Sequence, residues 1–258
     1  MRIATWNVNS VRARGERIAA WLQRGDVDVA AVQETKCRDD QFPTELFTDL
    51  GYEVAHHGLS QWNGVAVLSR VGLDDVQIGF PGQPGWGDPA APEARALGAV
   101  CGGVRVWSLY VPNGRELDHP HYQYKLDWLA ALRAAAQGWL TTDPQLALVG
   151  DWNIAPRDED VWDMSAFAGA THVSPPERAA LAALQDVGLT EVTREHTPGG
   201  YTYWDYQRLR FPRNEGMRID LALASPALAA RVSGAHIERD ERKGKGPSDH
   251  VPVVVDLD

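Results

Sequence analysis

Short apolar runs, each ending at a polar residue or a turn, recur from one end of the chain to the other. Two of them, LALVG at 146–150 and VPVVVDL at 251–257, are almost continuously apolar, which is typical of strands covered on both faces. The pattern predicts eight strands: Ile3–Val8, Val27–Gln33, Gly64–Leu68, Val104–Tyr110, Leu146–Gly150, Tyr201–Trp204, Arg218–Leu223 and Val251–Leu257.

Apolar residues at spacings of three and four predict helices between these strands. Arg14–Arg24 is the first, with Gly25 to end it and an apolar side formed by Ile18, Ala19, Trp21 and Leu22. Tyr122–Leu140 is the second, with Leu126, Leu129, Ala130, Arg133, Ala136 and Leu140 as its predicted inner face. A third, Pro175–Asp186, starts at a Pro-Pro pair, and Pro81–Pro92 is predicted to be a surface loop.

The order of these elements predicts the fold class. Strands occur both singly before helices and in consecutive pairs, so the sheets are expected to be mixed rather than purely parallel. That order favours an α/β fold in which sheets pack on each other with helices outside. With 258 residues and 44% apolar content, the chain can bury a sizeable core, and we expect one domain spanning residues 1–258.

Bulk properties narrow the cellular setting. No segment approaches the roughly 20 apolar residues of a membrane span, and the first residues lack the apolar core of a signal peptide. We therefore expect a cytoplasmic protein that does not bind membranes. Cys37 and Cys101 are too few for a disulfide framework and lack the spacing of a metal site, so a loop thiol and a buried thiol are expected.

The formal net charge of −10 argues against a simple nucleic-acid-binding protein, because such proteins are usually basic overall. Basic residues are nevertheless concentrated in three segments. They either form a basic face on an acidic body or lie in ordinary solvated loops. The segments contain Arg12, Arg14 and Arg17; Arg208, Arg210, Arg213 and Arg218; and Arg239, Arg242, Lys243 and Lys245.

Polar residues at strand ends are candidates for chemistry. Glu34 follows the run VDVAAVQ and is the leading candidate metal ligand, since Mg²⁺ prefers oxygen ligands; a surface carboxylate is the alternative. Asn7 ends the first strand and can ligate a cation, orient Glu34 or cap a turn. Asp151 and Asn153 alternate along an extended chain, so both can face one side and hold a water for attack, with Trp152 opposite.

Other polar residues suit binding of a phosphate. Asp220 lies inside the run RIDLALA, where a buried carboxylate needs a partner, and His250 is a suitable one. A charged His250 ring can stabilise phosphate oxygens in a transition state, whereas a purely structural Asp–His pair is the alternative. Tyr110 ends a strand, and Asn113 and Arg115 on the following loop add further donors.

No zinc motif, P-loop, dinucleotide fingerprint or Gly-x-Ser-x-Gly elbow is present. Seven segments instead resemble the exonuclease III family of abasic-site endonucleases, within the endonuclease/exonuclease/phosphatase superfamily. They occur in that family's order and cover nearly the whole chain. The segments are WNVNSVRAR, QETK, YVPNGR, GDWNIAP, YTYWDYQRLR, GMRIDL and PSDHVPV.

This resemblance implies a four-layered α/β sandwich, with two mixed β-sheets face to face and helices on the outer faces. It implies a Mg²⁺ cofactor, for which Mn²⁺ is a possible substitute. Glu34 resembles the main ligand, helped by Asn7 and Asp249, and Asp151 and Asn153 complete the implied metal-binding set.

The resemblance also implies catalytic roles. Asp151, with Asn153, resembles the residue that prepares the attacking water, and Asp220 resembles the partner of His250. Either Asp151 or the Asp220–His250 pair is a plausible acceptor for the proton of that water. Tyr110 and His250 resemble a phosphate grip, to which Asn113 and Arg115 contribute as substrate-binding residues.

The implied reaction is cleavage of the phosphodiester 5′ to abasic sites in double-stranded DNA, with removal of nucleotides or blocking groups from 3′ ends. An abasic sugar leaves the base stack at little cost, so a small apolar pocket would accept it. The positions that match are Tyr203, Met217 and Ile219, with Trp204 next to them, and the sequence departs here from relatives that have larger aromatics in that pocket. Ordinary core packing of these four residues is the alternative. A monomer is expected, with DNA affinity that falls as salt rises.

Two other functions remain open from the sequence. The same superfamily contains phosphodiesterases and phosphatases that act on lipid or inositol phosphates, but no membrane-binding apolar loop or lipid-facing basic helix is evident. A non-catalytic binding module is the second, although such a protein would usually have lost one of the polar residues. Loss of cleavage in chelator separates the metal mechanism from the others.

Overall fold

The structure is a computed structural model that describes residues 1–258. Its strands, in chain order, are β1 (Arg2–Asn7), β2 (Val29–Gln33), β3 (Glu53–His57), β4 (Val65–Ser69), β5 (Asp74–Ile78), β6 (Ala96–Cys101), β7 (Val104–Tyr110), β8 (Leu146–Asp151), β9 (Thr190–Glu191), β10 (Asp220–Ala224), β11 (Val232–Ile237) and β12 (Val253–Leu257).

The α-helices are α1 (Val11–Gly25), α2 (Thr44–Thr48), α3 (Pro120–Thr142), α4 (Pro175–Asp186) and α5 (Pro226–Ala229). Short 3₁₀ turns lie at Asp39–Gln41, Asp158–Asp160, Met164–Phe167, Gln207–Leu209 and Arg239–Arg242. None of these helices has the length and apolar character that crossing a membrane requires.

The strands form two six-stranded sheets. The first has the order β11-β12-β1-β2-β4-β3 and the second β5-β6-β7-β8-β10-β9. Each contains one parallel pair, β1–β2 in the first and β7–β8 in the second, and its other pairs are antiparallel. The prediction of mixed sheets is therefore confirmed.

Three buried clusters show how the layers stack. Side chains of β2 and β4 meet those of β6, β7 and β8 between the two sheets. On the outer face of the first sheet, Trp6 and Leu68 pack against Ile18 and Trp21 of α1. On the outer face of the second sheet, Trp107 and its neighbours pack against α3 and α4. Helix, sheet, sheet and helix thus form the predicted four-layered sandwich.

The helices confirm most, but not all, of the sequence predictions. α1 starts before Arg14 because Ser10 accepts a hydrogen bond from the Ala13 N–H at 3.4 Å and caps the first turn. The boundaries predicted for α4 are those observed. The predicted inner face of α3 was partly wrong, since Ala130 and Arg133 are exposed. Larger rings take the core positions instead, and the buried side includes Tyr124, Trp128, Leu132, Ala135 and Trp139.

The strand predictions failed mainly at the sheet edges. β3, β5, β9 and β11 were not predicted, and they are the four edge strands. Edge strands pair on one side only and face water, so polar residues interrupt their apolar pattern. β6 was also missed because it is rich in small residues; at Gly98, an added Cβ would lie 2.6 Å from the Trp107 ring.

The predicted strand Tyr201–Trp204 is not part of either sheet. Only Tyr203 makes bridges, to Met217 on one side and to His250 on the other. The segment therefore crosses the open end of the sandwich instead of extending a sheet. Cys37 and Cys101 are both buried and form no disulfide. Cys37 lies in a loop, as expected for one of the two thiols, but it is buried as well.

Candidate active site

Strand register brings the candidate residues to one end of the sandwich. In the second sheet, Tyr110, Asp151 and Asp220 are direct partners across β7, β8 and β10, so their side chains point to the same face. In the first sheet, Asn7 is paired with Gln33, the residue before Glu34. The two strand ends meet because the sheets lie face to face.

Asp151 is buried and held on both sides by donors. Its Oδ1 accepts the N–H of Asn153 at 2.9 Å, and its Oδ2 accepts Asn7 Nδ2 at 3.0 Å. Asn153 has a left-handed backbone (φ 51°) in place of the predicted extended one, and this turn keeps its amide beside Asp151. Trp152 points the opposite way, as predicted, into the core under the second sheet. Burial raises the pKa of Asp151 to about 7, although His250 opposes the shift.

His250 lies between two buried carboxylates. Its Nδ1 is 2.8 Å from Asp220 Oδ2 and its Nε2 is 3.7 Å from Asp151 Oδ2. Burial alone would lower the pKa of His250, but Asp220 and then Asp151 outweigh it and raise the pKa to about 10. The ring is therefore an imidazolium at neutral pH. Thr202 Oγ1 accepts the N–H groups of Ile219 and Asp220, each at 3.1 Å, and so holds the start of β10.

Glu34 lies across the cleft from this pair, on a strained loop. Its backbone is left-handed (φ 58°), as is that of Lys36 (φ 53°), which is uncommon for such residues and typical of functional sites. Lys36 Nζ is 3.1 Å from Glu34 Oε1 and 2.5 Å from Asn9 Oδ1, while Asn9 donates to Asp249 Oδ1 at 3.1 Å. The sequence reasoning missed Asn9 and Lys36, although both lie within the quoted motifs.

The oxygen atoms of these side chains are suitable ligands for a hard divalent cation. Oxygens of Glu34 and Asn9 converge on the ammonium of Lys36, and the carboxylate of Asp249 lies next to them, so this region already stabilises positive charge. Ligand-type atoms of Asp151, Asp220 and His250 also lie within 4.8 Å of one another. That group fits a metal less well, because both nitrogens of a protonated His250 face carboxylates.

Asn7 links the two halves of the site. It is fully buried; its Nδ2 reaches Asp151, and its Oδ1 accepts the N–H of Asn9 at 3.0 Å. Tyr110 lies nearby, with the guanidinium of Arg95 over its ring at 4.8 Å. Burial and then the Glu34 carboxylate raise the pKa of Tyr110 well above its usual range. Its phenol therefore keeps the proton that it can donate to a phosphate oxygen.

Asn113 is exposed at the rim of the site and contacts a residue that the sequence reasoning missed. Its Nδ2 lies 3.2 Å from Asn153 Oδ1 and 3.2 Å from His172 Nε2. Burial and then Lys125 lower the pKa of His172 to about 4, so this ring is neutral. No motif pointed to His172, because it comes from the segment before α4. Arg115, two residues further along the same loop, is exposed, and its guanidinium lies 5.8 Å from the centre of the Trp86 ring.

A pocket lies beside His250, but its lining differs from the predicted apolar one, because the charged residues Asp205, Arg210 and Glu215 contribute to it. Tyr203 and Met217 line a cavity of about 220 Å³, with the Tyr203 ring 4.8 Å from that of His250. Trp204 and Ile219 do not line it: Ile219 is buried behind Met217, and Trp204 is buried against Phe211. Trp162 and Phe167 supply aromatic walls from the segment after β8. Trp162 is the only aromatic residue of the segment DVWD, and one aromatic residue in a loop is too weak a signal to predict that it lines a pocket.

The first and third basic segments meet beside α1, but not every residue of the predicted clusters is exposed. Arg14 donates to the Tyr206 hydroxyl at 2.9 Å, and Arg17 donates to the Lys243 carbonyl at 2.8 Å. A cleft of about 550 Å³ beside α1 is lined by Arg12, Arg14, Arg17 and Lys245. Two of the predicted basic residues do not belong to this face, because Arg218 is 1% exposed and Arg242 is 9% exposed. Arg218 donates to the Thr197 carbonyl and Arg242 to the Trp204 carbonyl. An acidic protein can therefore present basic surface beside the site.

A buried ion pair supports the site from below. Lys125 Nζ contacts Glu177 and donates to the carbonyls of Asn153 at 2.6 Å and Asn113 at 3.2 Å. Both charged side chains are 0% exposed. Glu177 also accepts the backbone N–H of His172 at 3.0 Å. The pair therefore connects α3 and α4 to both loops that carry candidate residues.

We expect Lys125→Met to lower the free energy of unfolding by about 3–5 kcal/mol, because it leaves the Glu177 carboxylate buried without a counter-charge. Chemical denaturation of purified variants measures the change. The double variant Lys125→Met with Glu177→Gln removes both charges and should be less destabilised than the sum of the two single changes. A loss below about 1 kcal/mol in Lys125→Met would contradict a buried ion pair.

Comparisons with known proteins agree along the whole chain. A family model described as "Endonuclease/Exonuclease/phosphatase family" matches residues 4–250. Exodeoxyribonuclease III of Haemophilus influenzae is 30% identical over 270 residues, which cover 98% of each protein. An AP endonuclease from Archaeoglobus fulgidus is 33% identical, with a TM-score of 0.92, and the match covers 100% of this chain and 99% of that one.

The 3′-5′ exonuclease NExo from Neisseria meningitidis is 37% identical, with a TM-score of 0.95, and the match covers 100% of both chains. A variant of NExo from Neisseria, described as a 3′ phosphatase, has been solved with product DNA hairpin bound; it has the same identity and TM-score, and the match covers 100% of this chain and 99% of that one. The similarity thus extends over both sheets and all the elements that carry the candidate residues.

Proposed function

The chain belongs to the endonuclease/exonuclease/phosphatase family and is a DNA repair nuclease of the exodeoxyribonuclease III type, and we propose that it hydrolyses the bond between phosphorus and a 3′ oxygen in duplex DNA with Mg²⁺. That one bond accounts for three outcomes: incision 5′ to an abasic site, removal of 3′ nucleotides and removal of 3′ blocking groups. Each leaves a 3′-hydroxyl.

One observation carries the proposal: the buried arrangement Asn7–Asp151–His250–Asp220 at the meeting point of the two sheets. It provides a carboxylate of raised pKa beside an imidazolium that two carboxylates stabilise. A base and a fixed positive charge at adjacent positions suit attack of water on a phosphodiester.

The roles follow from the positions of the side chains. Asp151, oriented by Asn7 and Asn153, accepts a proton from the attacking water. His250 holds a phosphate oxygen through Nε2–H, and Asp220 keeps its ring charged and aligned. Tyr110 and Asn113 donate hydrogen bonds to the other phosphate oxygens, with Arg115 at the rim.

The cation would bind at the Glu34 side of the cleft, with Asn7 and Asp249 beside it; Asp151 and Asn153 face it from the second sheet. When bound, it supplies Lewis-acid stabilisation of phosphate charge. Mn²⁺ is expected to substitute for Mg²⁺, since both prefer oxygen ligands. The pocket of Tyr203, Met217, Trp162 and Phe167 suits the sugar next to the scissile phosphate, with Ile219 and Trp204 supporting it. We also infer a cytoplasmic monomer in which residues 1–258 act as one domain.

Three labelled duplexes test the reaction: one with an internal stable abasic analogue, one with a recessed undamaged 3′ end, and one with a 3′ phosphate. In Mg²⁺ we expect products that end in a 3′-hydroxyl, and none in excess chelator. Gel electrophoresis against synthetic markers identifies each product. The names of two similar solved structures, an exonuclease and an AP endonuclease, support including both kinds of substrate.

The outcomes separate the possibilities. Trimming or dephosphorylation of the 3′ ends with an intact abasic duplex would restrict the protein to 3′ ends. Cleavage that persists in chelator would remove the metal from the mechanism. No reaction with any DNA would reject the proposal and make lipid or inositol phosphates the next substrates to test.

A further inference from the structure

Trp62 differs from most tryptophans of this protein. Six of the ten are almost fully buried, whereas 66% of Trp62 is exposed. The neighbouring Leu59 is 55% exposed. Burial of such a large ring would stabilise the fold, and Trp62 does not provide that stabilisation because it is exposed to water. Exposed apolar surface beside a cleft commonly marks a binding site.

The loop that carries Trp62 is held in place by hydrogen bonds on both sides. The Trp62 N–H donates to Ser60 Oγ at 3.1 Å, and Asn63 Nδ2 donates to Glu93 Oε1 at 2.8 Å. Asn63 and Gly64 accept the N–H groups of Lys36 and Thr35, at 2.9 and 3.1 Å. The backbone that carries Trp62 is therefore joined by hydrogen bonds to the loop that carries Glu34.

The ring borders a cleft large enough for a nucleotide. Trp62, Trp86 and Arg115 line a volume of about 500 Å³, within the usual range of about 300–1,000 Å³ for small-molecule sites. Arg95, on the same cleft, packs over the ring of Tyr110. The cleft thus shares a wall with the candidate active site and combines exposed aromatic surface with the positive charge of Arg115.

We propose that Trp62 stacks on an unpaired nucleobase of the DNA substrate close to the scissile phosphate, while Arg115 binds an adjacent phosphate. The face of an aromatic ring can stack on any nucleobase, and a nearby guanidinium offsets the negative charge of the DNA phosphates. Sites that bind single-stranded DNA usually combine these two features. This inference rests on the proposed function. It adds that the protein distinguishes ends with a single-stranded extension from blunt ends.

The test compares DNA binding by fluorescence anisotropy in EDTA, so that the DNA stays intact. Four hairpin duplexes serve as probes: blunt, with a 3′ extension of four thymidines, with a 5′ extension of four thymidines, and with both extensions made of base-free abasic analogues. The proteins are the wild type, Trp62→Ala, Trp62→Phe and Ile78→Ala. Ile78, on the edge strand β5, is 60% exposed and outside the site, and it controls for the loss of any exposed apolar side chain.

We expect Trp62→Ala to weaken binding of at least one thymidine extension about 5- to 100-fold, since stacking contributes that much per base. Binding of the blunt and base-free probes should change less than 2-fold, Trp62→Phe should retain most of the affinity, and Ile78→Ala should match the wild type. Equal losses on all four probes, or none, would overturn the stacking site while DNA binding itself persists. A wild type that binds none of the probes would also overturn the stacking site, whereas the proposed function is decided separately by cleavage of the three labelled duplexes in Mg²⁺.

Discussion

Asp151→Asn should abolish nearly all hydrolysis while leaving the fold intact. The amide is the same size as the carboxylate and can still accept the N–H of Asn153, but it cannot accept a proton from water. Loss of a positioned general base typically costs about 10²- to 10⁴-fold in rate. Single-turnover cleavage of the duplex substrates in saturating Mg²⁺ measures this loss.

A matched control is available on the surface of α3. Asp127 is exposed and accepts a hydrogen bond from Gln123 at 2.8 Å, so Asp127→Asn makes the same chemical change outside the site. It should cleave at the wild-type rate. If Asp151→Asn kept more than about a tenth of the wild-type rate, proton transfer would have to be assigned elsewhere, with the Asp220–His250 pair as the first candidate.

The second large effect is expected at His250. His250→Gln keeps a donor near Asp220 but removes the positive charge, and Asp220→Asn keeps the shape but removes the charge that stabilises the imidazolium. Each should lower the single-turnover rate about 10²- to 10³-fold, the usual effect of losing a preorganised electrostatic contact. Because the two residues act as a unit, the double variant should be only slightly slower than either single variant. Multiplicative losses would show that they act independently.

The same pair gives the protein a stability that depends on pH. The pKa of His250 is raised from 6.5 to about 10 in the folded state, so the folded protein binds one more proton than the unfolded chain between those values. The stabilisation from His250 is therefore complete below pH 6.5 and is lost as pH rises towards 10, with a slope of up to about 1.4 kcal/mol per pH unit. Denaturant unfolding across this range should show the decline in the wild type and a flatter profile in His250→Gln.

Local patterns in the sequence were sufficient for much of the framework. The bounds of β7 and α4 could be predicted, because a mostly apolar strand-like run and a Pro-Pro start with periodic apolar residues are local signals. The strand ends also indicated the polar candidates, since a carboxylate or amide directly after a buried strand needs a partner or a function. The mixed sheets and the four layers followed from the order of the elements and from the family resemblance.

Only the tertiary structure decided which residues meet. Asn7 and Asp151 are 144 residues apart and His250 and Asp220 are 30 apart, yet each pair shares a hydrogen bond. Hydrogen bonds, burial and the pKa of a carboxylate depend on neighbours in space, and no local pattern encodes those. For the same reason the sequence pointed to neither His172 nor Trp162 in the site, and it grouped Arg218 with the exposed basic residues. Sequence thus determined the strands and their polar ends, whereas the packing of two sheets determined the site.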